Sequence, residues 1–130
     1  MRDNVPDYKV FNEKAKETFS DILVQNGYTL VQEISKINYV KLVYKNKNFW
    51  KKRLITIENQ TFPVDYGFSF VVSNIRKKQN YMFYVVPWEK QDKECVFLNR
   101  VSQFILSHHD IVDVISGKIW NLKRLVSFSE

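Results

Sequence analysis

The chain has 130 residues, 45% of them hydrophobic, with 20 Lys/Arg against 14 Asp/Glu and a formal net charge of +6. That length suits a single domain over residues 1–130, able to bury roughly two thirds of the surface its unfolded form exposes, and the composition excludes global disorder. One cysteine, Cys95, excludes an intrachain disulfide and a multi-thiolate metal site, and neither an export signal nor a run of roughly twenty apolar residues is present, so the expectation is a cytoplasmic chain with no membrane partner.

Asp3, Pro6 and Asp7 precede a run in which Phe11, Ala15, Phe19, Ile22 and Leu23 recur at three- and four-residue spacing. This predicts an amphipathic helix that ends near Gln25, where Asn26-Gly27 supplies a left-handed stop. From Tyr28 to Trp88 the period moves towards two, and β-branched and aromatic residues predict five strands near 28–35, 37–46, 50–58, 66–73 and 80–87. In the second strand Val40, Leu42 and Tyr44 point one way while Tyr39, Lys41, Val43 and Lys45 point the other. Asn46-Lys47-Asn48 reads as the turn of a lysine-rich hairpin between strands two and three. In the fourth strand Tyr66, Phe68, Phe70 and Val72 are expected inside and Gly67, Ser69 and Ser73 outside. The fifth, Tyr81 to Val86, is apolar on both faces, which fits a central position or a strand covered on both sides. A basic loop containing Arg76-Lys77-Lys78 joins these last two strands.

After Trp88 helical spacing returns, with Val96, Phe97, Val101, Phe104 and Ile105 lining one side up to His108-His109. Asp110 is placed to cap a following segment that contains Ile111, Val114 and Ile115. Residues 119–128 fit either a third helix or a short terminal strand. The fold expected is α+β: a curved, mainly antiparallel five-stranded sheet with an N-terminal helix and C-terminal helices on one face.

The strongest functional signal lies between Ile34 and Ile57, where Lys36, Lys41, Lys45, Lys47, Lys51, Lys52 and Arg53 occur without one Asp or Glu, interleaved with Tyr39, Tyr44, Phe49 and Trp50. Cations on a strand-like stretch set up a field that attracts an acidic protein or a phosphate backbone. Tyr39, Lys41, Lys45, Lys47, Trp50, Lys51 and Arg53 are the residues expected at the contact. Lysines on exposed strands also discourage edge-to-edge aggregation, so no single one of them carries the argument.

Other candidates are weaker. His108 and His109, adjacent on a helix, diverge by about 100° and do not converge on one metal ion. Asp65, Glu89, Asp92 and Glu94 have no metal or glycosidase spacing, and Cys95 reads as a small buried hydrophobe. Asn59-Gln60-Thr61 matches a glycosylation acceptor, a triplet frequent by chance. No phosphate-binding glycine loop, nucleophile elbow or zinc motif occurs, so neither an enzyme nor a cofactor is implied.

The order helix, Asn26-Gly27-Tyr28-Thr29-Leu30, Tyr39-Val40-Lys41-Leu42-Val43-Tyr44, Tyr66-Gly67-Phe68-Ser69-Phe70 resembles small bacterial α+β proteins of the kind that serve as immunity proteins in polymorphic toxin systems. The resemblance covers the first sixty per cent or so of the chain. It implies an immunity or inhibitor protein whose partner is a toxin, and with the basic surface the expectation is a non-enzymatic binding protein that occludes or scaffolds an acidic partner protein. The alternatives are a nucleic-acid-binding protein that uses the same hairpin, and a hydrophobic-ligand cup lined by the aromatic strands.

Overall fold

The computed structural model describes residues 8–48, 52–60, 67–121, 123 and 125–130. Helix α1 (Tyr8–Gln25) buries Phe11, Ala15, Phe19, Ile22 and Leu23 along one stripe. It stops where Gly27 takes φ +79°, a left-handed conformation open to glycine because it lacks a Cβ. Among the described residues no helix is long and apolar enough to cross a membrane.

Five strands follow as an antiparallel meander: β1 (Tyr28–Lys36), β2 (Tyr39–Asn46), β3 (Arg53–Gln60), β4 (Gly67–Asn74) and β5 (Gln79–Val86). A sixth, β6 (Phe128–Ser129), runs parallel to β5, so the sheet is six-stranded and mostly antiparallel. The α+β class stands. The count of five is corrected because part of the ambiguous C-terminal stretch adds a short strand.

Strand β5 is not central: β4 accompanies it along its length, whereas β6 pairs with only Tyr84 and Val85. Its two-faced apolarity has a different cause. A register shift opposite Phe70 and Val71 leaves Phe83 as an extra residue, so that Phe83 and Tyr84 are both buried, while Met82 on the other face is 48% exposed.

After a 3₁₀ turn (Trp88–Lys90), helices α2 (Phe97–Ser107) and α3 (His109–Ser116) are separated by His108 in an extended conformation. Asp110 therefore lies in the first turn of α3, whose cap is His108. The two helices and α1 cover one side of the sheet with Phe11, Phe19, Phe97, Leu98, Val101, Ile105, Ile111 and Ile115, joined in one core to Leu42, Ile55, Ile57, Phe68 and Phe70. Ring contacts bind the layers: Phe19 lies 5.4 Å from Phe70, and Phe97 meets Phe68 edge-on at 5.7 Å.

Transverse rows across this inner side show where the core ends. Leu30, Tyr44, Ile55, Val72 and Tyr81 form one such row by strand register. The next row towards the end of the sheet is polar: Arg53 pairs with Asn74, Asn74 with Gln79, and Asn46 Oδ1 accepts the Arg53 N–H at 2.9 Å. At the opposite end, buried Asn59 and Gln91 exchange amide hydrogen bonds of 2.8 and 3.0 Å. The Asn of the glycosylation triplet is thus engaged inside the fold. Gly67 (φ +71°) lets β4 start close against the end of β5, since a Cβ there would collide with Val86 O and lie 2.7 Å from Trp88 N.

Candidate functional site

The side of the sheet facing away from the helices is open. Strand register places Ile34 and Lys36 of β1, Tyr39, Lys41, Val43 and Lys45 of β2, Leu54, Thr56 and Glu58 of β3, Ser69, Val71 and Ser73 of β4, and Asn80, Met82 and Val85 of β5 on it. Two shallow clefts cross this face. One of about 310 Å³ is lined by Glu58, Ser69, Met82 and Val85. The other, about 450 Å³, is lined by Lys41, Thr56, Glu58, Val71, Ser73, Asn80 and Met82. An apolar strip therefore lies beside a cationic one.

Glu58 is the one carboxylate on the described part of this face. It sits opposite Lys41 in register and accepts a 2.7 Å hydrogen bond from the Tyr39 hydroxyl. Burial and this carboxylate together push the Tyr39 phenol above its ordinary pKa, so it stays a proton donor. Lys36, Lys41 and Lys45 share the face with a single acid.

The seven residues expected at the contact do not form one group. Tyr39, Lys41 and Lys45 share the open face, and Lys47 is exposed in the following turn. Trp50 and Lys51 lie outside the described residues. Arg53 is on the wrong side for that surface: it is 4% exposed, faces the helices, and its Cζ lies 4.9 Å from the centroid of the Trp120 ring. The physical reason is strand alternation, which puts Arg53 in phase with Ile55, Ile57 and Asn59. Burial lowers the guanidinium pKa from its usual value, with the nearby Tyr28 opposing that effect.

The basic Arg76-Lys77-Lys78 loop lies at the end of β4. The structure sets it beside the lysine hairpin: Arg53 pairs with Asn74, and Ile75 N–H donates to Lys52 O at 3.3 Å. The segment after α3 comes to the same end, where Trp120 Nε1 donates to Gln79 Oε1 at 2.7 Å. Hence Lys45, Lys47, Lys52, Arg53, Arg76, Lys77, Lys78 and Lys118 crowd one end of the sheet. Meander topology carries this signal, and the register of β3 with β4 is not visible in the sequence.

The minor candidates have structural employment. His108 Nδ1 lies 2.7 Å from Phe104 O, and its ring sits 4.1 Å from that of Phe104, at the C-terminus of α2. Cys95 is fully buried with φ +61°. Asp92 accepts the N–H groups of Val96 and Phe97, a helix-start role the sequence reading missed. The aromatics that would line a ligand cup, Phe68, Phe70 and Phe83, are filled in against the core. Among the described residues no three His, Cys, Asp or Glu side chains are grouped to hold a metal ion. Comparison of the chain with protein families, with curated proteins and with solved structures gave no significant match.

Proposed function

We propose that this chain is a non-enzymatic, stoichiometric binding protein that engages an acidic partner protein through the open face of its sheet, in the manner of an immunity or inhibitor protein. One observation carries the reading. Lys41 and Lys45 lie on either side of the register row that leads to Val71 and Met82, with Val85 beside it and Lys36 further along the same face, which has one described carboxylate. Cations at the border of a surface steer an acidic partner and set its register, while a central apolar area supplies burial. A polypeptide uses both parts. A single-stranded nucleic acid would use the cations and stack its bases on aromatic side chains, and the described aromatic of this face, Tyr39, is already tied to Glu58.

The nucleic-acid reading draws on the basic turns with Lys47, Arg76, Lys77 and Lys78, and one experiment separates it from the first. The native complex is isolated from the source cells and its partner identified. That partner is then produced alone and titrated against the wild type and a Lys41→Glu/Lys45→Glu variant, in parallel with single-stranded DNA and RNA. The expected result is a one-to-one complex with an acidic protein, weakened at least about tenfold by the charge reversal. Affinity for nucleic acid that falls steeply with salt, with no effect of the double variant on the protein complex, would overturn the proposal.

A further inference from the structure

On the helix side of the same sheet end, a cleft of about 240 Å³ is lined by Arg53, Asn74, Arg76, Lys77, Lys118 and Trp120, with Gly117 and Ile119 completing its wall and no carboxylate among the described residues that line it. Its position is set by three elements. Strand β3 delivers Arg53, the β4–β5 turn delivers Arg76 and Lys77, and the left-handed Gly117 at the end of α3 turns the chain so that Lys118 and Trp120 come over Arg53. Two bonds from backbone N–H groups hold these pieces: Lys118 N–H donates to Asp113 O at 2.8 Å, and Lys77 N–H donates to the Asn74 side-chain Oδ1 at 3.1 Å.

Arg53 is the unusual member. It is 4% exposed, its Nη1 donates to Lys52 O at 3.3 Å, and its buried Nε–H has no hydrogen-bond partner among the described residues. Among the described residues no carboxylate pairs with it. A largely desolvated guanidinium among the residues that line a cationic cleft is matched by an anion that accepts several hydrogen bonds.

We propose that this cleft binds a phosphoryl group, carried either by inorganic phosphate or by a phosphate ester. Arg53, Lys77 and Lys118 alone exceed what one carboxylate neutralises, whereas a phosphate monoester carries close to two negative charges and three strong acceptor oxygens. The guanidinium fork suits those oxygens. The volume is below the range usual for whole drug-sized ligands, so the cleft takes a small anion or the end of a larger molecule. A neighbouring cleft of about 390 Å³, lined by Lys77, Gln79, Trp120, Asn121 and Lys123, adjoins it across the Trp120 ring and has room for the remainder of an ester.

Isothermal titration of the full chain with inorganic phosphate and with phenyl phosphate, at matched ionic strength in chloride, tests the site. Saturable one-to-one binding is expected, weakened at least about tenfold in Arg53→Gln and in Lys118→Glu. Lys118 is exposed, so its variant keeps the test valid if Arg53→Gln does not fold. Tighter binding of phenyl phosphate identifies an ester as the source, and equal binding identifies the free anion; either supports the site. No saturation beyond chloride, or affinity unchanged in the folded variants, overturns it. The site is independent of the partner reading, because Lys41 and Lys45 lie on the other side of the sheet. Their reversal should leave phosphate affinity within about twofold, so the two proposals fail separately.

Discussion

Asp92 accepts hydrogen bonds from the N–H groups of Val96 and Phe97 at 2.8 and 2.9 Å, satisfying donors that the first turn of α2 leaves without intrahelical partners. Asp92→Ala should destabilise the fold by about 1 kcal/mol, within the roughly 0.5–2 kcal/mol range of such caps, which urea denaturation would register as a lower midpoint at unchanged m. An unchanged midpoint would mean that water replaces the carboxylate without loss. Asp92 stands four residues before Val96 in sequence, with Cys95 at φ +61° between them. That left-handed kink brings the carboxylate back onto the helix start, and residue spacing gives no sign of it. Arg53 is the converse case. Its alternation with Ile55 and Ile57 was present in the sequence, but the surrounding run of lysines drew it into the exposed group.

At the scale of elements, period was informative wherever one side of an element meets the core. Helix α1 and strands β2 to β4 are legible for that reason, since three- and four-residue or two-residue spacing of apolar side chains follows directly from burial. The two-residue strand β6 is too short to have a period. It is fixed instead by tertiary contacts: Glu130 N–H donates to Val85 O at 3.1 Å, and the Glu130 carboxylate takes two 2.9 Å bonds from Arg100 of α2 and one of 2.7 Å from the Tyr84 hydroxyl of β5. These partners, Arg100 first, hold the Glu130 pKa below its ordinary value of 4.5. A carboxylate depressed in the folded state contributes stability that is present above its unfolded pKa and lost as pH falls through the folded one. The wild type should therefore melt higher than Glu130→Gln at pH 6, and the gap should close as the pH drops below 4.5. Arg100 is half exposed, so solvent screening keeps the gap modest. A gap that persists unchanged at pH 3 would show that the ion pair does not anchor β6.

Across the whole molecule the cations separate by side as well as by end. Lys41 and Lys45 face away from the helices, Arg53 faces them, and Arg76, Lys77 and Lys118 close over the end of the sheet. A sequence reports only that the charges are close along the chain; strand alternation and the β3–β4 register divide them into two surfaces. This division bears on why Arg53 is there. The row next to it is apolar throughout, Ile55 and Val72 at its centre being fully buried, so an apolar residue at position 53 would extend the core. Desolvating an unpaired charge costs several kcal/mol, whereas a cation over an aromatic ring returns about 2 kcal/mol when desolvated. The balance predicts that Arg53→Met, without added anion, matches or exceeds the wild-type stability by about 1 kcal/mol in urea denaturation. In phosphate the order should reverse, because an anion that binds only the folded wild type raises its stability with concentration and leaves the Met variant unmoved. If Arg53→Met loses more than about 2 kcal/mol in chloride alone, the guanidinium holds the sheet end together through Lys52 and Trp120, and its burial is explained by architecture without any ligand.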